Sequence, residues 1–244
     1  MYKATPQIPE SHLHQQTAVA VTNSGVSRRG LLTMSTAIAG IGFAGFTKST
    51  FAQSPGLRPT PEQVLGPFFP VRLPIDQDAD LTVISGKDGR ALGQILYVSG
   101  IVTNLRGEPV ADALLEIWQA NALGRYTHPA DDNPLSIDPD FEGYAKIRTG
   151  ADGSYRFKTV KPGAYPVTPV PGWIRPPHIH FDVKDRASRV VTQMYFEGEA
   201  LNEKDRFLQG VGRKDALIAR YGSPSAQQES NALVAVWNIA LLAG

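Results

Sequence analysis

Residues 173–181 read WIRPPHIHF. His178 and His180 sit two apart in an apolar run, just after a double proline. Read as a strand with its continuation, HIHFDVKD, the segment sends both imidazoles to one face and Ile179 and Phe181 to the other. Side-by-side imidazoles can bind one metal ion, and they can equally be two structural, hydrogen-bonded histidines; the spacing alone does not choose between these. The same spacing recurs as His12 and His14, but in a polar leader where it carries no meaning.

Outward from this strand the chain reads as short strands separated by turn signals. QILYVSGIVTN (94–104) is a strand with an internal glycine, and LRGEPVADA (105–113) a turn and loop. LLEIWQAN (114–121) is a buried strand, with Leu115, Ile117 and Gln119 on one face and Leu114, Glu116 and Trp118 on the other. GYAKIRTGADGSYRFKTV (143–160) reads as a hairpin turning at GADG, and Tyr155, Phe157 and Thr159 alternate with Arg156 and Lys158. RVVTQMYFEG (189–198) is a further strand, and the plausible helical stretch lies within residues 202–222. NALVAVWNIALL (231–242) fits a strand or a helix. Many short strands at this spacing predict an all-β fold: a β-sandwich core of mixed strands with long loops and one or two short helices.

The chain has 244 residues, no cysteine and a formal net charge of +1. That balance gives no electrostatic reason to expect nucleic acid as a partner. Without cysteine there are no disulfides and no thiolate ligands, so any metal must be held through nitrogen and oxygen. Near the N-terminus, Arg28 and Arg29 precede an uncharged, Ala- and Gly-rich stretch at 30–47, and TFAQS follows with Ala52 as the expected last residue removed. This three-part pattern predicts an export signal over residues 1–52, the paired arginines resembling the twin-arginine type, and hence a periplasmic location with no stable membrane span in the mature form. An uncleaved membrane anchor is the alternative. Residues 53–244 are then one domain with a Pro-rich N-terminal arm that includes LGPFFPVRLP (65–74).

Two tyrosines end strands in turn-rich surroundings: Tyr126 in GRYTHP and Tyr165 in KPGAYPV. A loop tyrosine taken alone is most often rim packing. Cupin folds also use the H-x-H pair, but with a carboxylate three or four residues later, and here those positions are Val183 and Lys184. Together, however, LLEIWQANALGRY, DPDFEGYAKIRTGADGSYRFKTVKPGAYP, RPPHIHF and TQMYFEG resemble the intradiol ring-cleavage dioxygenases, the protocatechuate 3,4-dioxygenase group in particular, over about residues 60–210.

The resemblance implies one non-haem Fe(III) per chain, held by Tyr126, Tyr165, His178 and His180. Hard, highly charged Fe(III) suits anionic oxygen, and two phenolates with a hydroxide balance its charge. It further implies a catecholic substrate and O2, with cleavage between the two hydroxyl-bearing carbons to a cis,cis-muconate. Tyr165 is expected to take a substrate proton, Arg175 to lie beside the ring, and Gln193 to orient the substrate or support the site. His128, two residues past Tyr126, is a third candidate ligand by position but is expected at the rim or in support of the site. The short, Pro-rich stretch before the first strand favours the protocatechuate branch over the catechol and hydroxyquinol branches, which carry a long helical segment there. A homo-oligomer, or a hetero-oligomer with a related chain, is expected. Two other readings of the same residues are a β-sandwich module that binds aromatic or sugar ligands, and a zinc hydrolase using His178, His180 and a carboxylate.

Overall fold

Ile95–Thr103 form the first strand, β1, and Leu114–Trp118 the second, β2. These belong to the computed structural model of the chain, which describes residues 56–242; the leader read at 1–52 lies outside the described residues. Tyr144–Arg148 (β3) and Ser154–Val160 (β4) come next, then the two-residue strands Tyr165–Pro166 (β5) and Ile174–Arg175 (β6). His178–Lys184 (β7) and Arg189–Phe196 (β8) lead into a short helical region holding α1 (Arg206–Gln209), and Ile218–Gly222 (β9), Leu233–Val236 (β10) and Ile239–Ala240 (β11) complete the order.

One antiparallel layer runs β8-β7-β2-β3. The facing layer places β1 between antiparallel β4 and parallel β10, with β9 beyond β10. Parallel pairing of β8 with β9 joins the layers along one edge, which gives the sandwich a near-barrel path. The strand period of two explains the core. Leu115, Ile117, Ile179, Phe181 and Val183 point inward from one layer and meet Leu96, Val98, Tyr155 and Phe157 from the other. Phe181 sits at the centre, with ring contacts to Phe157, Tyr155 and Trp237. Each such buried side chain contributes about 1.5–3 kcal/mol. The all-β sandwich expected from the sequence is therefore the fold observed.

Two local expectations change. Residues 143–160 do not make a hairpin: the turn forms, with Gly150 N–H donating to Ser154 O at 2.9 Å, but β3 then pairs with β2 and β4 with β1. The turn is a corner between layers: all five residues of β3 pair with β2, and all seven of β4 pair with β1. The helical stretch within 202–222 shrinks to α1 and flanking 3-10 turns, and its last five residues are β9. The ambiguous 231–242 segment is two short strands. Among the described residues, no helix is long and apolar enough to cross a membrane.

Candidate active site

The face of the β8-β7-β2-β3 layer turned away from the core carries the polar set. Strand register fixes its geometry. His180 lies between Trp118 on β2 and Gln193 on β8, and His178 lies opposite Tyr195. The imidazoles are 4.9 Å apart between ring centroids, and Trp118 stacks on His180 at 4.9 Å and 11°. His178 Nδ1 lies 2.7 Å from Pro176 O; as the carbonyl can only accept, Nδ1 carries the hydrogen and Nε2 keeps its lone pair. That Nε2 is 3.3 Å from the hydroxyl of Tyr165.

The tyrosines reach this face on two loops that touch through glycine. A Cβ on Gly124 would lie 2.3 Å from Ala164 O, and one on Gly163 would lie 2.4 Å from Gly124 N, so any larger residue would force the loops apart. Asn121 clamps the same crossing: its side-chain oxygen accepts the amides of Leu123 and Arg125, and its main-chain carbonyl accepts those of Gly124 and Gly163. Asp131 accepts the amide of Tyr126 at 2.7 Å and fixes where that ring starts. The Tyr126 and Tyr165 rings are thereby 5.5 Å apart and edge to face. Tyr126, Tyr165, His178 and His180 form one contiguous group, with 3%, 7%, 1% and 2% of their surfaces exposed.

The N-terminal arm roofs the group. Phe68 packs 4.6 Å from Tyr126 and 6.1 Å from Tyr165, and Phe69 packs edge-on against Trp118. The arm is pinned to β8, where Thr192 donates to Pro61 O and Gln193 to Val64 O, each at 2.8 Å. His128 touches the outer side of Phe68, and its Nδ1 accepts the Ala130 amide; it stands at the rim, as expected.

Burial governs the protonation of this group. It holds both imidazoles neutral, pushing them well below the ordinary histidine range, and the Arg175 charge pushes the same way. It also raises both phenols, Tyr126 well above its usual value; the Arg175 charge opposes this at each. Arg175 itself is buried. Its Nε donates to Asp205 at 2.6 Å and its Nη2 to Gln193 at 2.7 Å and Tyr195 at 2.9 Å. The Gln193 amide is thus occupied by Arg175, Tyr195 and the arm, so it supports the arginine rather than presenting a free group.

Sequence reading did not single out Asn121, Asp131, Tyr195 or Asp205. Asp205 carries a local signal, since it caps α1 by accepting the Leu208 amide at 2.8 Å, but its pairing with Arg175 spans 30 residues and has no local mark.

The donor set itself bears on which metal it would hold. Two phenol oxygens and two imidazole nitrogens suit a hard, high-valent ion with mixed oxygen and nitrogen ligation. The Tyr126 hydroxyl is buried with no hydrogen-bond partner among the described residues, which costs about 1–3 kcal/mol unless something satisfies it. His178 presents its lone pair toward the same space. The residues fit Fe(III). They do not fit the zinc hydrolase reading: among the described residues, the one trio of acidic or imidazole groups close enough to share an ion is Asp76, Asp78 and Glu142, which excludes both histidines.

In this β-sandwich two buried histidines and two buried tyrosines converge on one face, a donor set able to hold a metal ion. The family model described as "Dioxygenase" matches residues 64–243. The protocatechuate 3,4-dioxygenase beta chain of Burkholderia cepacia is 44% identical over 168 residues, covering 67% of this chain and 71% of that one. The alpha chain from the same organism is 33% identical over 175 residues, covering 67% and 84%. Among solved structures, 3-chlorocatechol 1,2-dioxygenase from Rhodococcus opacus 1CP matches with a TM-score of 0.60 at 25% identity, covering 77% of this chain and 74% of that one. This chain belongs to the intradiol ring-cleavage dioxygenases, a family that uses non-haem iron. It is an enzyme of that class, which displaces the binding-module reading.

Proposed function

We propose that this enzyme is an Fe(III) dioxygenase that opens protocatechuate between its two hydroxyl-bearing carbons, giving 3-carboxy-cis,cis-muconate. The observation that carries the reading is the convergence of Tyr126, Tyr165, His178 and His180 in one buried group that includes an unpartnered phenol. These four residues would hold the ion, one per chain. Bound there, Fe(III) supplies a Lewis acid and template for the two oxygens of a catechol.

The chain's own residues do the rest. Tyr165, which would meet the metal as a phenolate, takes a proton from a substrate hydroxyl; burial raises its phenol, and the charge of Arg175, its partner across β5 and β6, opposes that. Arg175 is a fixed cation that stabilises negative charge developing on the ring carbon, with no reorganisation needed at the moment of reaction. Gln193 keeps Arg175 in place. Phe68 and the arm exclude bulk water, which strengthens each of these electrostatic effects.

Protocatechuate is favoured among catechols by the 44% identity to a protocatechuate 3,4-dioxygenase beta chain. Similarity to both the alpha and the beta chain of that enzyme supports an assembly of several chains, either of this chain or with a related one. The Arg28–Arg29 leader supports export of the folded, iron-loaded protein to the periplasm.

The deciding experiment is the visible absorption of the purified protein, before and after adding protocatechuate under nitrogen. A broad red-brown band that shifts on addition is expected. A protein that stays colourless after iron reconstitution overturns the proposal, and a band that shifts with catechol but not protocatechuate overturns the substrate.

A further inference from the structure

Arg175 is a buried cation, and a buried cation is stable only when it is paired and hydrogen-bonded. Its one carboxylate partner among the described residues is Asp205, itself fully buried. Asp205 uses both oxygens: Oδ2 accepts from Arg175 Nε at 2.6 Å, and Oδ1 accepts the Leu208 amide that starts α1. The Phe207 ring, two residues on, lies under the guanidinium carbon, 4.7 Å from ring centre to Cζ. Tyr195 holds its edge, since its hydroxyl accepts from Nη2 at 2.9 Å. Nε and Nη2 are therefore committed, and among the described residues nothing hydrogen-bonds Nη1.

We propose that Asp205, with Tyr195, is a positioning residue for ring cleavage: the pair locks the Arg175 guanidinium in the orientation that leaves Nη1 for the reacting ring. Neither touches the substrate. A planar guanidinium has a fixed fork of donors, so bonding two of its nitrogens sets the direction of the third. Asp205 also ties that direction to α1, so a shift of this helix turns the arginine. The proposal rests on the role given to Arg175 above.

The test compares the iron-loaded protein with Asp205→Asn, Arg175→Gln and the double variant. Asparagine keeps an oxygen for the Leu208 amide but removes the charge. Three quantities are read: the visible band, the affinity for protocatechuate under nitrogen, and kcat with KM. Asp205→Asn should keep the band and the affinity, while kcat falls about 10- to 100-fold with KM little changed. The double variant should be no slower than Arg175→Gln alone, because both changes disable one unit. Asp205→Glu should restore part of kcat. Unchanged turnover in Asp205→Asn, or losses that multiply in the double variant, overturns the proposal while leaving the role of Arg175 standing. Unchanged turnover in Arg175→Gln overturns both. If Asp205→Asn does not fold, Tyr195→Phe removes one lock while Asp205 keeps the Leu208 amide; a several-fold loss of kcat absent from the Arg175→Gln background is expected, and an unchanged kcat overturns the proposal.

Discussion

Trp118 and His180 lie face to face across the β2–β7 pairing, 4.9 Å apart and within 11° of parallel. The indole fills the space on one side of the imidazole and so sets its plane. Trp118→Ala should cost about 3–5 kcal/mol in denaturant unfolding, as a large buried ring is lost. It should also lower the iron retained per chain, whereas Trp118→Phe should keep most of it. Metal analysis beside the unfolding curves separates the two effects.

Among the described residues the Tyr126 hydroxyl has no hydrogen-bond partner, whereas that of Tyr155 donates to Trp237 O at 2.7 Å. The same substitution should therefore do opposite things. Tyr126→Phe should leave the iron-free protein at least as stable and sharply weaken the visible band. Tyr155→Phe should cost about 1 kcal/mol and leave the band intact. Melting curves and spectra of the two variants decide this.

Gly163 allows the two tyrosine loops to cross. Gly163→Ala places a methyl group 2.4 Å from Gly124 N and 2.6 Å from Ala122 O, backbone atoms that cannot step aside. A loss of about 1–3 kcal/mol is expected, with weaker iron binding from a wider separation of Tyr126 and Tyr165. Chelator competition measures the second effect.

Glu142, away from the site, is part-buried, and burial with the nearby Asp76 and Asp78 raises its pKa to about 8. Between its unfolded value, 4.5, and 8, the folded chain keeps a proton that the unfolded chain has released. Its contribution to stability is therefore present below 4.5 and is lost as pH rises through that window. Glu142→Gln should raise Tm at pH 8 and change it little at pH 4.5, as melting at the two pH values would show.

What could be read from the chain was what short-range rules decide. Alternation in HIHFDVKD gave the faces of β7, and the placement of Tyr126 and Tyr165 after strands gave two loop positions that the fold brings together. Partner choice was not readable. The turn at 150–153 has good local chemistry, yet its strands belong to different layers, because pairing is won by non-local neighbours. The same holds for the site. Arg175 stands beside the histidines in sequence, while Asp205 and Tyr195, which orient it, arrive from 30 and 20 residues away. Asn121 and Asp131 act on the backbone and leave no motif of their own.

The arm that roofs the site bonds to β8 across 129 to 132 residues of chain. The roof is thus hung on the same strand that carries Gln193 and Tyr195, so a disturbance of β8 would loosen the cover and the hold on Arg175 together.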